Sequence, residues 1–277
     1  MPHPLPVTLL RAALVSPLRR RYNSESQLPA TRLTLTTTPD PTRLATYAAV
    51  CAFTGTDPLP LPYPHVLAFP LAMQLMASRG FPLPLLGLVH TGIEIEPHRP
   101  IHPTDELELT VYAAQLKPHR RGTEATMVTE ARRSGDLVWE SRSTYLARHR
   151  TTTATTAARP APPEPLPATT TWQLPAALGR RYAAASGDRN PIHLHPLTAR
   201  LFGFPRAIAH GMWTFARCLA ESGKDAQPAY VQAEFRAPAL LPSTLAYAAE
   251  GDAFQLLSAD GTRLHLTGRT APTAPPS

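Results

Sequence analysis

Cysteine is scarce in this chain: two in 277 residues, Cys51 and Cys218. They lie far apart and without metal-ligand spacing, so neither a disulfide framework nor a cysteine metal centre is expected. Both fall in apolar, helix-like runs, which reads as free buried thiols in a reducing compartment, the cytoplasm. Long apolar runs are missing too. None approaches about 18 residues, so no transmembrane helix is expected. The stretch Val7 to Val15 is apolar but broken by Arg11. It lacks the uninterrupted core and small-residue cleavage site of a signal peptide, and reads as an amphipathic helix packed on the body. Charged residues are few at 17 %, and the 20 acidic side chains face 27 Lys and Arg, a net +7. That surplus is dispersed, with small clusters at Arg19 to Arg21, Lys117 to Arg121 and Arg132-Arg133. No nucleic-acid module carries them, so no nucleic-acid partner is expected; a solvated basic surface or an anionic small ligand is.

Proline is what the chain has in excess: 33 residues, about 12 % where average usage is about 5 %. Proline breaks helix interiors, so a mostly helical bundle is excluded. With 43 % hydrophobic residues the chain is globular, and its length suits about two domains. Residues 151–169 read TTTATTAARPAPPEPLPAT, with five prolines between Pro160 and Pro167. Such a stretch forms no core and reads as a semi-rigid connector. It separates a first domain, 1–150, from a second, 170–277.

The two halves resemble each other. Tyr47-Ala48-Ala49 parallels Tyr182-Ala183-Ala184 at an offset of 135. Tyr63-Pro64-His65-Val66-Leu67-Ala68 parallels Phe204-Pro205-Arg206-Ala207-Ile208-Ala209 at 141. Each half reads as a short strand, a helix, an irregular stretch, a long apolar helix and then several strands. In the first half Leu107, Leu109 and Val111 alternate along one strand face. In the second, Gly251-Asp252 and Asp260-Gly261 mark turns between strands. A long helix followed by an antiparallel meander predicts an α+β fold, duplicated in tandem, each helix wrapped by a curved sheet.

The densest motif runs Tyr182-Ala-Ala-Ala-Ser186-Gly-Asp188-Arg-Asn190-Pro-Ile-His193. A helix ends near Ser186-Gly187, where glycine takes positive φ. Asp188 and His193 then stand on a loop stiffened by Pro191. A carboxylate and an imidazole facing one reacting atom can divide general-acid and general-base work. The second element, Ile208-Ala209-His210-Gly211-Met212, opens the second long helix. The first N–H groups of a helix lack internal partners and favour negative charge, so the Gly211 amide is a candidate oxyanion donor.

Y-x-x-x-S-G-D-x-N-P-I-H-x5-A followed by G-F-P-x-x-I-A-H-G-M resembles the signature of the MaoC-like (R)-specific enoyl-thioester hydratases and dehydratases. It covers Tyr182 to Met212 without departure. The two-unit plan and the proline-rich connector resemble the double-hotdog 3-hydroxyacyl-thioester dehydratases of actinobacterial fatty-acid metabolism. The resemblance implies a double hotdog fold. It also implies reversible syn addition of water to a trans-2-enoyl thioester, giving the (3R)-hydroxyacyl thioester. It implies Asp188 and His193 as the catalytic pair, Gly211 as the oxyanion donor, and Asn190, Ser186 and His210 as supporting residues. It implies no metal and no cofactor; the substrate is an acyl thioester of coenzyme A or acyl carrier protein. Which of Asp188 and His193 handles the C2 proton stays open at the level of sequence. Lys117, Arg120, Arg121 and Arg206 are candidates for the phosphates of the carrier arm. The duplicated chain is expected as a monomeric pseudo-dimer of hotdogs or as a homodimer. A non-catalytic acyl-binding partner subunit and a hotdog thioesterase are the alternatives.

The first half lacks the chemistry. At the 135 offset, Ser186-Gly187-Asp188 corresponds to Cys51-Ala52-Phe53. At the 141 offset, Ala209-His210-Gly211 corresponds to Ala68-Phe69-Pro70, and proline has no N–H to give. One active site per chain is therefore expected. The run Val66 to Met76 suits an acyl-chain pocket or simple core packing.

Overall fold

The computed structural model describes residues 28–85, 87–150, 163–223 and 230–274. The Val7 to Val15 stretch, Arg19 to Arg21 and most of the connector lie outside the described residues. The first half is built from β1 (Arg32–Thr37), α1 (Pro41–Cys51), α2 (Tyr63–Ala77) and four long strands. These are β2 (Leu88–Pro97), β3 (Leu107–His119), β4 (Gly122–Arg133) and β5 (Asp136–Arg148). The second half is built from β6 (Ala168–Leu174), α3 (Leu178–Ser186), two short helices α4 (Pro191–Leu194) and α5 (Pro196–Leu201), and α6 (Gly211–Ser222). It closes with β7 (Tyr230–Phe235), β8 (Ser243–Glu250), β9 (Ala253–Ser258) and β10 (Leu264–Ala271).

The ten strands form one antiparallel sheet in the order β1-β3-β4-β5-β2-β7-β10-β9-β8-β6. Each half contributes five adjacent strands. The seam is the β2–β7 pair, from Gly92 opposite Glu234 to Ile95 opposite Val231. The alternation read along β3 is what buries Leu107, Leu109 and Val111 completely, each contributing about 1.5–3 kcal/mol. The apolar helix α2 packs on β3, β1 and β4, and α6 packs on β9. This is the hotdog arrangement, an α+β fold, present twice.

Local rules set the helix ends. Asp40 caps α1 by accepting a hydrogen bond from the Arg43 amide at 2.7 Å. Both α1 and α3 end in a left-handed residue, Ala52 at φ 60° and Gly187 at φ 82°. These caps stand at the 135 offset, so the Cys51-Ala52-Phe53 correspondence holds in space. Ala52 takes a conformation that glycine adopts more readily.

The second correspondence is corrected. The helix α2 begins at Tyr63, and Pro70 lies inside it. Aligning the C-termini Ala77 and Ser222 gives an offset of 145, so His65-Val66 matches His210-Gly211. Pro70 therefore does not remove the oxyanion donor. The 141 offset is a local word match, overruled by the chain's turn at Pro60–Pro62. From the Val66 to Met76 run, Val66, Leu67, Ala68, Leu71, Ala72, Leu75 and Met76 are buried in the core, so packing accounts for their apolar character.

The connector also ends earlier than expected. Strand β6 takes in Ala168 and Thr169. The Leu166 amide donates to Gln255 Oε1, and Gln255 Nε2 donates to the Glu164 carbonyl, both at 2.9 Å.

Candidate active site

A cascade of short-range hydrogen bonds builds the loop after α3. The Asp188 amide donates to Ser186 Oγ at 3.1 Å. Asp188 Oδ1 accepts from the Asn190 amide at 3.1 Å, and Asn190 Oδ1 accepts from the Ile192 amide at 3.4 Å. Short polar side chains bonding two residues onward make such Asx turns. Asn190 thereby caps α4, which carries His193. From the other half, Arg43 Nε donates to the Ala185 carbonyl at 2.8 Å and its Nη2 to the Ser186 carbonyl at 2.7 Å. These satisfy carbonyls that the end of α3 leaves without helical partners.

His193 is buried, and its Nδ1 donates to the Ile208 carbonyl at 2.8 Å. That bond assigns the neutral tautomer and leaves Nε2 as an acceptor. The His210 ring stacks on His193 at 3.7 Å, and its Nε2 donates to the Asp188 carbonyl at 3.0 Å. Asp188 keeps 25 % of its side-chain surface open, whereas His210 keeps 2 %. Burial raises the Asp188 carboxyl above its usual range, opposed by the neighbouring His193. Burial lowers His193 and, more strongly, His210. Both shifts favour uncharged partners, which brings the neutral pair and the ion pair closer in energy.

Asp188, His193 and His210 offer ligand atoms within 4.8 Å of one another. One nitrogen of each histidine is already engaged, His193 Nδ1 with the Ile208 carbonyl and His210 Nε2 with the Asp188 carbonyl.

Gly211 is the first residue of α6, so its amide has no helical carbonyl to donate to. A side chain there would meet the Phe235 ring at 3.1 Å, so the glycine also makes room for that ring. His195 caps α5, accepting from the Leu197 amide at 3.2 Å. Of the basic candidates, Arg206 is exposed and donates to the Pro242 carbonyl at 3.1 Å. Lys117, Arg120 and Arg121 are exposed at the β3–β4 hairpin of the other half. There Gly122 pairs Arg148, and Ala125 pairs Tyr145.

Sequence reasoning missed residues that only the fold brings in. Tyr145 of the first half is buried, and its phenol is pushed up by burial and by the nearby Asp188 carboxylate. Its ring stacks on His90 at 4.6 Å, and His90 lies 4.8 Å from Phe235. No local pattern marks these residues. Gly179 on α3 is a second omission. A Cβ there would stand 1.9 Å from the His193 carbonyl oxygen. Gly179→Ala should displace the histidine backbone and lower kcat about 10²-fold; an unchanged kcat by steady-state assay would show that α4 yields freely.

A carboxylate and an imidazole on one capped loop, next in the fold to the first turn of a helix inside a hotdog, are the features to compare with known proteins. The family model described as MaoC like domain matches residues 152–255. The chain is 40 % identical over 235 residues to 3-hydroxyacyl-thioester dehydratase X of Mycobacterium tuberculosis, covering 82 % of each. It belongs to the MaoC-like dehydratase family. The crystal structure of that mycobacterial protein superposes with a TM-score of 0.75 at 34 % identity, covering 87 % of this chain and 99 % of that one. A MaoC-like dehydratase from Phytophthora capsici shares the fold at TM-score 0.73 and 18 % identity, over 90 % of this chain and 97 % of that one.

Proposed function

We propose that this chain interconverts trans-2-enoyl and (3R)-hydroxyacyl thioesters by adding and removing water, using Asp188 and His193. The observation that carries the reading is the pinned tautomer of His193 beside Asp188 on one capped loop. Neutral His193 presents Nε2 to a water, taking its proton as the oxygen attacks C3. Asp188, its carboxyl raised by burial, gives its proton to C2. In dehydration the carboxylate takes the C2 proton and the imidazolium protonates the leaving hydroxyl. The pair holds one proton in either direction. The Gly211 amide receives the thioester oxygen as the enolate forms. Ser186, Asn190 and His210 hold the loop.

This chemistry is complete with protein groups and calls for no cofactor. The acyl group arrives on coenzyme A or on acyl carrier protein, whose phosphates would meet Arg206 and the Lys117, Arg120 and Arg121 hairpin. The second domain, from about residue 170, does the chemistry and the first, to 150, completes the sheet. Because one chain carries both hotdogs, a monomer suffices as the working unit. The buried free thiols Cys51 and Cys218 suit a reducing cytoplasm.

Mixing the purified protein with crotonyl-CoA tests the reading. Loss of enoyl absorbance without thiol release, and a (3R) product, are expected. Thiol release would make it a thioesterase. No change with crotonyl-CoA or longer trans-2-enoyl thioesters would leave an acyl-binding subunit.

A further inference from the structure

Among the described residues, the exposed large hydrophobic side chains sit together on one short helix and its end. Leu197 is 62 % exposed, Leu201 83 % and Phe202 44 %. Leu197 and Leu201 stand four apart on α5 and share a face. Thr198 Oγ1 ties that helix to α4 by donating to the Pro191 carbonyl at 2.6 Å. The patch is thus tied to the short helix that carries His193.

The charge along this segment is almost all of one sign. Between residues 178 and 211 there are five arginines, and Asp188 is the one carboxylate. Arg180, Arg181, Arg189, Arg200 and Arg206 are all exposed. None of them pairs with a carboxylate among the described residues. Arg180, Arg200 and Arg206 donate to backbone carbonyls instead. An apolar knuckle on a segment whose exposed arginines have no carboxylate partner among the described residues fits a partner that is apolar and acidic. The chain's own residues 1–27 suit it poorly, with four arginines and one glutamate. A second copy of this chain, at +7, suits it no better.

We propose that Leu197, Leu201 and Phe202, on this arginine-rich segment, form the docking surface for an acidic acyl carrier protein that delivers the enoyl thioester. This rests on the thioester reading above and chooses its carrier. A carrier seated on α5 would hand its arm to the opening at Asp188, one helix away. The charges would set the encounter rate and the apolar contact the residence time.

The test compares two substrates of the full chain: crotonyl-CoA and crotonyl thioester on a phosphopantetheinylated bacterial acyl carrier protein. Leu201→Ser and Arg200→Glu should each lower kcat/KM for the carrier-bound substrate about tenfold or more. The value for crotonyl-CoA should stay within twofold. Salt should weaken the carrier reaction in wild type and less so in Arg200→Glu. Equal losses on both substrates, or no loss on the carrier-bound one, would overturn the proposal. So would a change in solution mass on Leu201→Ser, or lost binding to anionic lipid vesicles, with carrier kinetics intact. If wild type fails to hydrate crotonyl-CoA while binding the carrier normally, the reaction assignment falls and the docking surface stands.

Discussion

Asp188→Asn should lower kcat for crotonyl-CoA hydration by ~10²–10⁴, the range for loss of a positioned acid–base group. Asparagine keeps an oxygen for the Asn190 amide, the contact that shapes the loop. The fold should survive, so the thermal midpoint should stay close to wild type while turnover collapses. His193→Ala should fall in the same range. The double variant should cost far less than the product of the two, since the residues act as a unit. The pH profile gives a sharper signature. A pair that must hold one proton gives a bell, with the acid limb for gaining a second proton and the alkaline limb for losing the first. Burial moves the Asp188 carboxyl up and His193 down, and Asp188→Asn should abolish one limb. Turnover within a few-fold of wild type in either variant would remove these residues from the chemistry.

Two buried histidines of the first half should cost about 4 kcal/mol of stability between pH 7.5 and pH 5. Burial pushes His65 down to about 4 and His90 down to about 3. The unfolded chain binds protons on both near pH 6.5, while the folded chain does not. Stability therefore rises with pH across that window and is lost as pH falls below 6.5. At pH 5 each histidine costs about 2 kcal/mol, against a total of about 5–15 kcal/mol for a folded domain. His193 and His210 shift in the same direction. Asp188 shifts oppositely: its raised carboxyl binds a proton more readily when folded, and offsets part of the loss at lower pH. Urea unfolding at the two pH values measures the difference. His90→Phe keeps a ring between Tyr145 and Phe235 and should remove about half of the share due to His65 and His90. A flat pH response in wild type would mean that these imidazoles are hydrated.

Much of this was written locally in the chain. The alternation of Leu107, Leu109 and Val111 is a property of adjacent residues, and so is the loop from Ser186 to His193, whose bonds span two or three positions. The left-handed caps at Ala52 and Gly187 bear out the 135 offset. The 141 offset failed because similar words began at Tyr63 and Phe204, while α2 starts at the first and α6 seven residues past the second. Tyr145, His90, Gly179 and Arg43 were illegible for another reason. Each acts through a partner dozens of positions distant or, for Gly179, through a backbone approach that no pattern encodes.

The Arg43 guanidinium, gripping two carbonyls of α3, has a consequence for how the protein could have arisen. Together with the Trp213 indole, which donates to the Val50 carbonyl at 2.8 Å, it makes each half complementary to the other and not to itself. Two such unlike pieces on separate genes would have to find each other at cellular dilution. Fused, they meet at an effective concentration in the millimolar range. Tandem fusion thus lets the two copies diverge in sequence while each keeps the partner it fits, a freedom closed to a symmetric homodimer.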